Sequence, residues 1–167
     1  MVIRSLTPED APAYVALRRE MLADSPWAFA ASPEEDRALD PAFVAMQVQE
    51  PGQAIIGAFD EDGALRAVAG IFRQRHPKMA HRAHVWGVYV TPAARRRNLG
   101  RQVVSLALEI ARSWPGITSA GLSASARSTD ACRLYEALGF RAWGCEPGAL
   151  VLDGEAIDEI HMVLFFE

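Results

Sequence analysis

The chain has 167 residues, half of them hydrophobic and 23% charged, an ordinary globular balance with enough length for one domain with a core and a cleft. Its formal net charge of −4 argues against a general nucleic-acid binder, which would carry a basic balance. The opening residues MVIRSLTPED hold no apolar signal core, and no run approaches the ~20 apolar residues of a membrane span. A cytoplasmic location without membrane association is therefore expected.

In chain order, residues 2–6 read as a short strand. Thr7 then caps a helix with Pro8 at its first position, and Tyr14, Leu17, Met21 and Leu22 line one face of it. Ser32-Pro33-Glu34-Glu35 restarts a helical segment. Asp40-Pro41 starts another, which runs to about Gln49 and is ended by Pro51-Gly52. Residues 54–59, the turn Asp60-Glu61-Asp62-Gly63 and residues 65–72 form a predicted hairpin. Residues 85–90 are the central strand, 102–112 a helix, 117–123 the next strand, and a short helix surrounds Tyr135. Residues 150–152, the turn Asp153-Gly154 and residues 159–165 close the chain as a second hairpin. The order β-α-α-β-β-β-α-β-α-β-β is an α/β pattern around one mixed sheet. With no repeat, low-complexity tract or linker, residues 1–167 read as a single domain.

The two cysteines, Cys132 and Cys145, make neither a metal spacing nor a disulfide framework, and Cys132 reads as a buried thiol in a reducing compartment. No metal is expected.

The most informative stretch is VYVTPAARRRNLGR, residues 88–101. An apolar strand (Val88, Tyr89, Val90) runs into a turn marked by Pro92. Arg95, Arg96 and Arg97 follow, then Asn98, Leu99 and Gly100, and a helix opens near Arg101. The unpaired N–H groups of a first helical turn, with the helix dipole behind them, form a seat for a pyrophosphate. Asn98 and Gly100 admit backbone conformations that most residues resist, and the arginines offer charge-assisted hydrogen bonds to phosphate oxygens. An arginine run can equally be a solvated face or a nucleic-acid patch. The Lys-Ser/Thr pair of a Walker loop is absent. The run is also short and without interleaved aromatics, so an anionic small-molecule cofactor is favoured over nucleic acid.

This spacing resembles motif A of the GNAT superfamily of acetyl-CoA-dependent acyltransferases, in which a strand ending in V-x-P precedes (Q/R)-x-x-G-x-(G/A) at a helix start. Val90-Thr91-Pro92 stands for the strand end and Arg95 to Gly100 for the phosphate loop. Asn98 replaces the first glycine; asparagine is among the least costly other choices for a left-handed backbone. Downstream, Leu122-Ser123-Ala124-Ser125 ends a strand before Ala131-Cys132-Arg133-Leu134-Tyr135-Glu136-Ala137-Leu138-Gly139-Phe140. That run is similar to the family's A-x-x-L-Y-x-x-x-G-F, a helix closed by a glycine cap.

The resemblance extends over essentially the whole chain and implies a mixed central sheet flanked by helices. The strands carrying residues 88–90 and 121–123 would splay apart to admit the pantetheine of acetyl-CoA as co-substrate. The N–H groups of Val88, Tyr89 and Val90 would then pair with the pantetheine in place of a strand and polarise the thioester. Tyr135 takes the role of the acid that protonates the departing thiolate; a phenol with pKa about 10 suits that task. Ser128 stands where the family places an asparagine against the pantetheine arm. For the base, one branch of the family carries a glutamate at a position held here by Ser123, which cannot serve. Another carries it on the central strand, where His84 stands, and a histidine of pKa ~6.5 is a suitable base. The competing readings are Glu159, a water chain, and a merely structural His84.

The resemblance further implies an amine acceptor and a protein acting as a monomer or homodimer. The segment Ser25-Pro26-Trp27-Ala28-Phe29-Ala30 carries two aromatics where the family builds its acceptor pocket; they would stack on the acceptor or pack as a lid. In Asp158-Glu159-Ile160-His161-Met162, Glu159 and His161 share one face of a strand, as an acceptor contact or as solvated charge. A non-catalytic CoA-binding module on the same fold, suggested by Asn98, Ser128 and the missing carboxylate base, is the alternative function.

Overall fold

In the computed structural model, which describes residues 1–167, the chain starts with β1 (Val2–Ser5) and turns at Thr7 into a 3-10 turn, Pro8–Asp10, continuous with α1 (Ala11–Asp24). Asp10 fixes this entry. Its carboxylate accepts the Thr7 N–H at 2.8 Å and both arms of the Arg4 guanidinium at 2.6 and 2.9 Å. Arg4 above all holds the Asp10 carboxyl down at about 2. The expected α1 face, Tyr14, Leu17, Met21 and Leu22, is buried. Arg18 is buried with it.

Residues 33–35, expected as helix, form only a turn. Glu35 folds back to accept the Ser32 N–H at 2.6 Å. Asp36 turns extended (φ −76°, ψ 108°) to meet Arg18, and that breaks the helical path. A 3-10 turn, Arg37–Leu39, precedes α2 (Pro41–Gln47), whose cap residue Asp40 accepts the Ala42 N–H at 2.9 Å. The predicted hairpin is β2 (Gln53–Phe59) with β3 (Leu65–Arg73). There follow β4 (Arg82–Val90), α3 (Leu99–Ser113), β5 (Ser119–Ser125) and α4 (Thr129–Ala137). The final hairpin, β6 (Arg141–Leu152) and β7 (Glu155–Phe165), is far longer than expected. Gly144, Pro147 and Gly148 interrupt the strand pattern of β6, and the pairing absorbs them at two irregularities.

The seven strands lie in one sheet in the order β1-β2-β3-β4-β5-β7-β6. Every pairing is antiparallel except β4 with β5. One face packs α3 and α4. Leu99, Val103, Val104, Ala107, Leu108 and Ala111 form the α3 stripe, and Tyr135 joins their core from α4. The other face packs α1 and α2 through Tyr14, Leu17, Met21 and Val44. No helix is long and apolar enough to cross a membrane.

Two features of β4 shape everything downstream. Its parallel ladder to β5 is confined to Arg82–His84 against Ser119–Gly121, and beyond those residues the strands part. Gly87 adopts φ +59°, a conformation open to glycine at little cost. There the β3–β4 register slips, so that Gly87 and Val88 together face Ala69. This bulge inverts the side-chain alternation. His84 and Trp86 point to the α1 face, whereas Val88 and Val90 pack against the core on the α3 face.

Candidate active site

The parting of β4 and β5 leaves a cavity of about 940 Å³. Backbone N–H groups along one of its walls face away from β3 for a reason readable from the ladder. The Thr91 N–H donates to Arg66 O on β3 at 2.9 Å. Because N–H groups alternate along a strand, those of Val90 and Val88 face the gap. Val88, Tyr89 and Val90 all line the cavity.

At the end of β4 a 3-10 turn, Pro92–Ala94, leads into the loop of residues 95–98, where a phosphate seat was expected. Arg96 and Asn98 both take left-handed backbone conformations, each with φ +61°. Two such non-glycine residues so close together are uncommon, and the shape persists only where its surroundings hold it. Asn98 immediately precedes α3, so the free N–H groups of that helix's first turn open onto the cavity. Gly100 keeps the floor low. A Cβ there would meet Leu134 Cδ2 at 3.3 Å and Val90 Cγ2 at 3.5 Å. Arg95, Arg96, Asn98, Leu99, Gly100 and Arg101 line the cavity; Arg97 is exposed and does not. The loop thus has the form a pyrophosphate requires, with N–H groups, a helix end and guanidinium charge converging.

The opposite wall comes from α4. Ser128, its cap residue, and Asp130, Ala131, Leu134 and Tyr135 line the same space. Gly139, φ +95°, closes the helix as expected. The helical spacing of Ala131, Leu134 and Tyr135 was a usable signal for this wall, since one helix face presents all three. Tyr135 is only 6% exposed and packs edge-on against Phe140 with ring centroids 6.0 Å apart. Burial first, and the neighbouring Cys132 next, push its phenol well above the ordinary value. It stays protonated at neutral pH, as a proton donor must.

A second, smaller cavity of about 90 Å³ adjoins the first and shares Ala28, Phe29, Val88, Ser128, Ala131 and Tyr135 with it. It reaches past Gly87 and Trp86 to Ser123 and Ser125 on β5. Phe29, but not Trp27, lines both cavities, and Ser25 and Ala28 from the same segment join the larger. The short turn Pro26–Ala28 lies against β5 and β6, roofing this side.

His84 lines neither cavity. It sits at the last β4–β5 pair, opposite Gly121, with its ring 5.4 Å from that of Phe72. Burial, then the charges of Arg82 and His161, lower its pKa below 6.5, so it is neutral at neutral pH. Glu159 is paired in register with Ser125 and His161 with Ser123; His161 Nε2 lies 3.0 Å from Glu146 Oε2. Cys132 is half-buried and Cys145 exposed, both as free thiols.

The acetyltransferase (GNAT) family model matches residues 15–140. No curated protein matches significantly. Among solved structures, an acetyltransferase of the GNAT family from Streptococcus pneumoniae superposes with a TM-score of 0.86 at 20% identity, covering 99% of each chain. A ribosomal-protein-alanine N-acetyltransferase from Brucella melitensis gives 0.85 at 20% identity, covering 99% of this chain and 100% of that one. A candidate acetyltransferase from Salmonella typhimurium, solved with its cofactor acetyl-CoA, gives 0.81 at 23% identity, covering 100% of this chain and 94% of that one.

Proposed function

The chain belongs to the GNAT family of acetyltransferases, and we propose that residues 1–167 act as one domain that transfers the acetyl group of acetyl-CoA to a primary amine by direct attack. The observation that carries this is the coincidence, in one cavity, of a preformed phosphate seat, gap-facing N–H groups on β4 and a protonated buried phenol.

Bound acetyl-CoA supplies an activated thioester. The first turn of α3, with Arg96 and Arg101, holds the phosphates. The Val88 and Val90 N–H groups pair with the pantetheine side and hydrogen-bond the thioester oxygen as it gains negative charge. Ser128, at the start of α4, offers a hydroxyl to the pantetheine amides. Tyr135 donates its proton to the departing sulfur. On the acceptor side the amine must lose a proton before it attacks. His84, neutral and on the α1 face, receives it through water by way of Ser123, which lines the smaller cavity two residues beyond Gly121, the register partner of His84.

Release of free thiol from acetyl-CoA, followed over a panel of primary amines, tests the reading. Amine-dependent release with formation of the amide is expected. Binding of acetyl-CoA with no release over the whole panel would make the protein a non-catalytic CoA module.

A further inference from the structure

Arg95 opens the phosphate loop, yet its guanidinium is taken up by partners within the protein. Nε–H donates to Val90 O at 3.1 Å, and the terminal nitrogen forms an ion pair with Asp24. The group also stands 5.8 Å from the centre of the Tyr89 ring. Asp24 is the last residue of α1 and additionally accepts the Ser25 hydroxyl at 2.8 Å. One turn earlier, Glu20 accepts the Tyr89 hydroxyl at 3.1 Å. Burial and the two carboxylates keep that phenol protonated. The end of α1 is therefore bound once to the end of β4, through Glu20 and Tyr89, and once to the loop, through Asp24 and Arg95, while Arg95 itself bonds the end of β4. Just beyond the Arg95 contact lie Arg96 and Asn98, both in left-handed backbone shapes.

We propose that Asp24 is the positioning residue of the phosphate loop, with Arg95 as its strut and not a ligand of the pyrophosphate. The inference rests on the reading that this cavity takes acetyl-CoA, and it assigns direct phosphate contact to Arg96, Arg101 and the helix N-terminus. The pair is half-exposed, with side chains 46% and 26% accessible, so it contributes little to global stability. Its effect is preorganisation: the loop need not be ordered at the moment of binding. Because Ser25, next to Asp24, also lines the cavity, the strut ties the loop to the acceptor-side roof.

Calorimetric titration with acetyl-CoA of the wild type, Asp24→Asn, Arg95→Gln and the double variant tests this. A strut requires both single changes to weaken binding, by about tenfold, and the double variant to bind no worse than the weaker single. Asp24→Glu restores part of the affinity, and the melting temperatures without ligand stay close to wild type. If Arg95 is a phosphate ligand restrained by Asp24, Asp24→Asn frees it and removes a nearby negative charge, so binding tightens. Tighter or unchanged binding in Asp24→Asn overturns the proposal. A wild type that fails to bind acetyl-CoA at all overturns the reading beneath it as well.

Discussion

Trp86 fills the place of a missing side chain on Gly70, its direct cross-strand partner: a Cβ on Gly70 would stand 2.2 Å from Trp86 Cε2. The indole therefore crosses β3 on the α1 face, immediately before the Gly87 bulge, and forms part of the smaller cavity. Gly70→Ala should force it off this seat, and overpacking of this kind destabilises by about 1–3 kcal/mol. Chemical denaturation measures it; an unchanged midpoint would show that the indole moves at no cost.

At Gly100 a single Cβ would already touch Leu134 and Val90, at 3.3 and 3.5 Å. The branched side chain of Gly100→Val would plug the space between β4 and α4 where acetyl-CoA is proposed to bind. For the wild type, acetyl-CoA at a hundred times its Kd should raise stability by about 2.7 kcal/mol. In the variant that thermal shift should vanish while the unliganded protein still melts cooperatively. A folded variant with the full shift would place the binding site elsewhere.

Tyr135→Phe keeps the ring against Phe140 and removes only the hydroxyl, so stability should change little. Turnover should fall roughly 10²-fold, the scale of one positioned proton donor, with acetyl-CoA affinity nearly retained. Undiminished turnover with a good acceptor would take the phenol out of the mechanism.

The geometry of the loop between β4 and α3 was legible in the sequence because its parts are local. A strand, an arginine-rich turn with Asn98 and Gly100, and a helix start are neighbours in the chain, so their order fixes their geometry. The α1 face was equally legible from its spacing. What the sequence hid depends on partners far apart. Arg18 is 7% exposed because Asp36, eighteen positions on, meets its Nε at 2.7 Å, a partner that no local pattern announces. The same bond ends the helix expected at Ser32. Asp24 gave no signal either, since its partner Arg95 lies 71 positions on. The length of β6 was concealed by Gly144, Pro147 and Gly148, which a long edge strand accommodates by irregular pairing.

His84 is the proposed proton acceptor, and its environment gives its prediction a sign. Burial and two nearby positive charges disfavour the imidazolium, so the ionisation lies below 6.5. The base form is present above that ionisation and is lost as pH falls through it. The rate should therefore rise with pH through an ionisation lower than that of a free histidine. Amine deprotonation should add a further rise at higher pH. His84→Ala should lower turnover and delete the first rise only, and His84→Glu should recover part of the activity with that rise moved lower still. A wild-type profile in His84→Ala would assign the proton to bulk water or another group.

The sheet, joined between β4 and β5 over only three residue pairs, is a beam forked along part of its length. A fork is weakest where its tines are unsupported, and here whatever fills the notch carries load between them. Opening of the β5–β7–β6 tine should thus be easier in the empty protein than in the filled one, and proteases act on such opened forms. If acetyl-CoA is what fills the notch, the chain should resist limited proteolysis longer as acetyl-CoA is added.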